Sequence, residues 1–197
     1  MQRLYSTAEK ALGAARTALR DLPMHLVAQV GGLRIGVVHG DASSLAGWDF
    51  SRERMDDPVH RNNYEAIFRQ SDVNLFASSH TCLPAIRRFT VDGRARGVIN
   101  NGAAGMPNFS GACHGVISRI STTPAPQFLR KLTEQIFETD GTKVYVAALV
   151  LDYDHAAWHH QFCADWPEGS PANQAYLQRI ENGPQYSIDQ AYVASTN

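Results

Sequence analysis

Apolar residues recur at helical spacing at the start of the chain and alternate with other residues soon afterwards. The first pattern covers residues 4–22 and stops at Pro23, which predicts an amphipathic helix. Two alternating runs, residues 24–30 and 33–37, then flank the pair Gly31-Gly32. Because both glycines tolerate positive φ, this arrangement predicts a β-hairpin whose second strand leads to His39.

The next pattern predicts a helix followed by a short strand. The helix is expected over residues 56–70, with Asp56 or Asp57 as N-cap and Pro58 in its first turn. Its apolar side would carry Tyr64, Ile67 and Phe68. A strand at residues 73–77 follows, and the order strand, helix, strand predicts a crossover connection within one sheet.

Strands dominate the predicted second half of the chain. They lie between turn residues such as Asp92-Gly93 and cover residues 84–91, 95–100, 115–121 and 142–151. Two helices are predicted at residues 154–164 and 171–182, whereas the pattern of residues 127–138 leaves helix and strand both open. The elements define an α/β fold of mixed β-sheets flanked by helices. A length of 197 residues with 44% hydrophobic content fits a single domain over residues 1–197.

The composition restricts the expected partners. Eighteen basic and nineteen acidic residues give a formal net charge of -1, which does not favour nucleic acid or an anionic membrane. No apolar run reaches the roughly 18 residues of a membrane span, and charges among the first 22 residues argue against a signal peptide. The widely spaced Cys82, Cys113 and Cys163 indicate neither a disulfide framework nor a zinc clip. We therefore expect a cytoplasmic protein that acts on a small substrate.

His39 and His80 are the leading candidates for chemistry. Each follows a short apolar strand and stands beside small residues, Gly40 in one case and Ser79 and Thr81 in the other. Small neighbours allow a metal ion or a phosphate to approach the backbone, and imidazole is a common metal ligand. Two histidines in matching positions at strand ends therefore predict a shared metal site.

Three motifs, taken in order, resemble the C-terminal half of calcineurin-like metallophosphoesterases. They are Val-His-Gly at residues 38–40, Ser-His-Thr-Cys at residues 79–82 and Ile-Asn-Asn-Gly at residues 99–102. In that family one strand ends in a metal-binding His-Gly, a later strand ends in Gly-His-Thr-His, and an Ile-Asn-x-Gly-Ser loop follows. The likeness spans residues 24–121. It implies the C-terminal half of a four-layer sandwich and the hydrolysis of phosphate esters.

The resemblance assigns metal ligands to individual residues. His39 and His80 would bind one ion, and Cys82, which stands where the family has its second histidine, would bind the other. The expected cofactor is a divalent ion, Mn, Fe or Zn, and a thiolate would favour the softer ions among these. The alternative that Cys82 is a small buried apolar residue stays open.

Two loops near these ligands have expected supporting roles. Asn101 and Gly102 would belong to a phosphate-binding loop that cradles an oxyanion with backbone N–H groups. Asp41 would orient the ligand at His39 or, alternatively, cap its own loop.

The motifs that supply a bridging carboxylate in this family have no counterpart in the chain. The sequence contains no Asp-x-His and no Asn-His, and its Gly-Asp at residues 40–41 already belongs to the His39 motif. The chain is therefore expected to be an N-terminally truncated piece. The favoured function is a metal-dependent phosphoesterase for a small phosphate mono- or diester, or a truncated derivative of one.

Two other functions stay open. One is a non-catalytic remnant or binding protein, which would pair with itself or with another chain over the missing half of the sheet. The other is a mononuclear metal protein that uses His39, His80 and Cys82 alone.

Overall fold

The computed structural model describes residues 20–139 and 141–192, so most of the helix predicted at residues 4–22 lies outside the described residues. Within the described ranges, eight strands form two sheets. The five-stranded sheet has the order β1-β2-β3-β5-β4 and contains β1 (His25–Val30), β2 (Leu33–Val38), β3 (Leu75–Ser78), β4 (Pro84–Val91) and β5 (Arg94–Asn101). The three-stranded sheet has the order β6-β8-β7 and contains β6 (Gly115–Ser121), β7 (Lys131–Thr139) and β8 (Thr142–Leu151).

Helices fill the connection between β2 and β3 and the C-terminal part of the chain. They are α1 (Arg52–Asp56), a 3-10 turn (Pro58–His60), α2 (Arg61–Ser71), α3 (His155–Asp165), α4 (Pro171–Asn182) and α5 (Ile188–Ala191). Two sheets flanked by helices are the architecture that the sequence pattern predicted, so the predicted fold class is confirmed.

Both predicted hairpins are present. β1 pairs antiparallel with β2, and Gly31 and Gly32 turn between them at φ values of 55° and 82°. β4 pairs antiparallel with β5 around Asp92 and Gly93, which also have positive φ. The crossover is present as well, because β2 and β3 pair in parallel across the helical segment. β3 pairs in parallel with β5, so three neighbouring strands point the same way.

One sequence prediction needs correction, and one alternative that the sequence left open is resolved. The helix expected over residues 56–70 is broken, because Asp57 is extended (φ -80°, ψ 116°) and caps the 3-10 turn through a bond from the Val59 N–H to its carboxylate. The residue before a proline is disfavoured in the α region, and Pro58 therefore separates α1 from α2. Residues 127–138, left open between helix and strand, contain most of β7, which is an edge strand of the smaller sheet.

One apolar core lies between the two sheets. Leu33, Ile35 and Leu75 of the larger sheet pack against the smaller sheet, and all are at most 2% exposed. Phe137 of β7 reaches the backbone of β5, where a Cβ on Gly97 would overlap its ring. The opposite face of the larger sheet is covered by α2, whose buried residues are the predicted Tyr64, Ile67 and Phe68.

The edge strand β1 is left uncovered by these layers. Its residues from His25 to Gln29 are all exposed, and Leu26 and Val27, which point to opposite faces of the strand, are 56% and 54% exposed. An edge strand with apolar residues on both faces is a surface suited to further polypeptide contacts.

Candidate metal centre

His39 and His80 lie side by side at the carboxyl ends of two neighbouring parallel strands. His39 follows β2 by one residue, and His80 follows β3 by two. The Nε2 atom of His39 is 3.1 Å from the Nδ1 atom of His80, and the ring centroids are 4.9 Å apart. In open α/β sheets ligands bind in the crevice outside the carboxyl ends of the strands, and the histidine pair occupies that place.

The backbone around the pair is fixed by hydrogen bonds between the two strand ends. The N–H groups of Ser79 and His80 both donate to the carbonyl of His39, at 3.2 and 2.8 Å. The buried hydroxyl of Ser78 donates to the carbonyl of Gly40 at 2.6 Å. The backbone that carries the two imidazoles is therefore held in place by hydrogen bonds between the two strand ends.

The geometry of the pair fits one divalent ion. Two nitrogens 3.1 Å apart can each bind an ion at about 2.0–2.1 Å with an angle of roughly 100° at the ion, close to tetrahedral. In the described residues, however, no group of three or more His, Cys, Asp and Glu side chains is arranged to hold an ion. The described residues thus bring together two candidate ligands, and the 3.1 Å separation of their nitrogens is also that of a hydrogen bond between the rings.

Cys82 lies on the turn that follows His80. Its φ is 58°, its N–H donates to the carbonyl of Ser79, and its thiol lies 3.3 Å from the carbonyl oxygen of His80. The side chain is exposed, so it is not the buried apolar residue that the alternative reading assumed. Its role as a metal ligand stays a prediction.

Arg179 of α4 reaches the same turn. Its Nη2 atom donates to the carbonyls of Cys82 and Pro107, at 2.6 and 3.1 Å. Burial lowers the pKa of this guanidinium below its usual value. The partners of Arg179 at this turn are carbonyl oxygens, so its positive charge lies beside the turn that carries His80 and Cys82.

Asp41 is buried and organises the loop after His39. Its carboxylate accepts hydrogen bonds from the N–H groups of Ser43, Ser44 and Asp49, at 2.8, 2.9 and 3.2 Å. These contacts make Asp41 a cap of its own loop, which was one of its two expected roles. None of these three hydrogen bonds involves the imidazole of His39.

The predicted phosphate loop also has its polar groups engaged within the protein. The N–H of Gly102 donates to the side-chain oxygen of Asn100 at 2.9 Å, and the amide of Asn101 donates to the carbonyl of Val116 at 2.9 Å. Asn100, which is 1% exposed, further donates to Thr81 and to the carbonyl of Phe50. Asn100 therefore ties the His80 turn to two other loops, a role that the sequence pattern did not indicate.

Trp48 is a second residue that the sequence did not single out. Its ring centroid lies 5.7 Å from that of His80 with an interplanar angle of 75°. The indole is 59% exposed. Trp48 lies 32 positions before His80 in a loop without a periodic pattern, so no local signal places it at the site.

Comparison with solved structures shows the class of fold. A hypothetical protein from Pyrococcus horikoshii matches with a TM-score of 0.57 and 18% identity, and the match covers 90% of this chain and 57% of that protein's chain. A metallophosphoesterase from Sphaerobacter thermophilus matches with a TM-score of 0.51 and 20% identity, covering 85% of this chain and 60% of its own. The chain thus has a metallophosphoesterase-like fold, and it spans less than two thirds of the length of these two proteins.

Sequence comparisons add no closer relationship. No family model matches the chain, and no curated protein matches it. In residues 20–139 and 141–192, none of the helices combines the length and the apolar character needed to cross a membrane.

Proposed function

We propose that this chain is a metal-dependent phosphoesterase unit in which His39 and His80 jointly bind one divalent ion, Mn, Fe or Zn. The observation that carries the proposal is the separation of 3.1 Å between their facing nitrogens, at the carboxyl ends of parallel strands. The metallophosphoesterase-like fold supports the reaction class. The substrate would be a small phosphate mono- or diester.

The residues around the pair suit an anionic substrate. An ion bound there would polarise a phosphoryl oxygen and help neutralise its charge. The guanidinium of Arg179 adds a second positive charge near the turn at Cys82. Water, the substrate or groups from another polypeptide segment would fill the remaining coordination positions of the ion, because the described residues supply only two close ligands.

A metal-binding measurement tests the proposal directly. Calorimetric titration of the metal-free chain with Zn²⁺ and with Mn²⁺ should show one binding site. This site should be lost in His39→Ala and also in His80→Ala. His160→Ala is the matched control, since His160 is an exposed histidine on α3, and it should bind as the original chain does. Binding that survives either substitution at the pair would exclude this centre.

Activity is tested separately with nitrophenyl phosphate and bis-nitrophenyl phosphate in the presence of the ion. Turnover that disappears in His80→Ala and persists in His160→Ala would support hydrolysis at this site. Metal binding without turnover would instead leave a metal-binding protein with no esterase activity.

The second candidate is a non-catalytic binding protein, and the exposed strand β1 is the observation that favours it. Apolar side chains on both faces of this edge strand would be covered by a second chain that extends the sheet. Val27→Lys should abolish such an assembly in analytical ultracentrifugation, whereas a chain that is monomeric at all concentrations would remove the support for self-association through β1.

A further inference from the structure

Trp48 presents an open aromatic surface beside the histidine pair. A large aromatic side chain that is 59% exposed next to a candidate site is a common feature of ligand recognition. The contact with His80 is T-shaped, with an interplanar angle of 75°, so it covers at most one face of the indole. More than half of the Trp48 surface is exposed, so the indole offers open aromatic surface to a flat group.

The loop that carries Trp48 is held in place by the rest of the fold. The carbonyls of Trp48, Asp49 and Phe50 each accept a hydrogen bond, from the Ser51 N–H, the Tyr64 hydroxyl and the Asn100 amide respectively. Phe50, two positions further on, is completely buried. The backbone that carries the indole is thus held in place, and little backbone ordering would be needed when a ligand stacks on it.

We propose that Trp48 is a stacking surface that selects phosphate esters carrying a flat aromatic group, such as a nucleoside or aryl phosphate. This inference rests on the proposed function, because the phosphate would lie at the ion held by His39 and His80 while the aromatic group packs on Trp48. Stacking of a base on an aromatic side chain corresponds to roughly tenfold or greater tightening of binding.

Binding measurements with matched ligands test this inference without relying on turnover. Adenosine monophosphate carries a base at the sugar carbon where ribose 5-phosphate has a hydroxyl, and phenyl phosphate adds an aryl ester without a sugar. Each is titrated by calorimetry into the Zn²⁺-loaded chain and into Trp48→Leu, Trp48→Phe and Trp158→Leu. Trp158, 36% exposed on α3, is the control for loss of a surface indole.

The original chain should bind adenosine monophosphate about tenfold or more tightly than ribose 5-phosphate. Trp48→Leu should remove this ratio, Trp48→Phe should restore most of it, and Trp158→Leu should leave it unchanged. A preference shared by phenyl phosphate would define the selected group as any flat ring, and one restricted to the nucleotide would define it as a base.

The inference is overturned if the two sugar phosphates bind equally, or if Trp48→Leu retains the preference. This failure differs from that of the proposed function, which would show as absence of Zn²⁺ binding at the histidine pair or absence of turnover. A chain that hydrolyses both esters equally well, with equal affinities, would keep the phosphoesterase proposal and exclude the stacking role.

Discussion

The loop after His39 provides the sharpest test of how the site is built, through the contact between Gly47 and Asp41. An ideal Cβ on Gly47 would overlap the carboxylate of Asp41. Gly47 does not have positive φ, and the three heavy atoms nearest to such a Cβ all belong to the Asp41 carboxyl group. Gly47→Ala is therefore expected to push the Asp41 side chain away from the three N–H groups that donate hydrogen bonds to it.

The size of the effect follows from those hydrogen bonds. A bond to a charged group contributes about 1.5–3 kcal/mol, and water can replace part of it in a surface loop, so Asp41→Ala should lower the free energy of unfolding by about 2–4 kcal/mol. Gly47→Ala should cost a similar amount because it displaces the same group. Each single substitution should then lower the melting temperature by roughly 5–15 °C.

The double variant distinguishes this steric mechanism from two independent losses of stability. Once Asp41 is an alanine, the methyl group at position 47 has no carboxylate to displace, so the pair should cost about as much as either single change. Urea unfolding followed by circular dichroism measures all three variants. Gly105→Ala is the control, since a Cβ there meets nothing within 4 Å. Strictly additive losses would show that Gly47 and Asp41 act independently and would refute the steric reasoning.

Three further predictions concern other contacts. Asn100→Leu removes three buried hydrogen bonds and should lower the free energy of unfolding by about 3 kcal/mol or more, measured by urea titration. Arg87→Met removes the ion pair with Asp56 and the bonds to α5, so limited proteolysis should cleave the C-terminal part sooner. Burial and the nearby Arg130 lower the pKa of His114, so its stabilising contribution is present above about pH 6.5 and is lost as the pH falls towards the lower folded value. The melting temperature of His114→Gln should accordingly fall less steeply below pH 6.5 than that of the original chain, and an unchanged slope would contradict this assignment.

The parts of the fold that the sequence predicts are those fixed by local chemistry. Gly31-Gly32 and Asp92-Gly93 take the positive φ values that tight turns between antiparallel strands require, so the hairpins could be placed from four residues. The apolar face of α2 follows from the spacing of Tyr64, Ile67 and Phe68. The break at Pro58 also has a local cause. The sequence prediction placed this proline in the first turn of the helix, whereas the proline keeps Asp57 extended and thereby ends α1.

The site depends on contacts that no local pattern encodes. The strand-end context predicted that His39 and His80 would come close, but the distance between their nitrogens is set by the pairing of β2 with β3 and by the bonds from Ser78 and Ser79. Trp48 and Arg179 arrive from a loop and from a C-terminal helix. Their approach depends on tertiary packing, which the spacing of residues along the chain does not reveal.

The distribution of buried polar side chains indicates which part of the fold is most strictly specified. Among the described residues seven polar or charged side chains are buried. Six of them lie at the carboxyl ends of β3 and β5 or in the connections that follow β2, β3 and β5: Asp41, Ser51, Ser78, Thr81, Asn100 and Asn108. Burying a polar group is unfavourable unless its hydrogen bonds are formed, so each of these side chains excludes loop conformations in which its partners are missing. The interior between the two sheets, at Leu75 and Ile99, is by contrast apolar. The polar groups therefore restrict the shape of one end of the sheet, which is the end where the histidine pair and Trp48 lie.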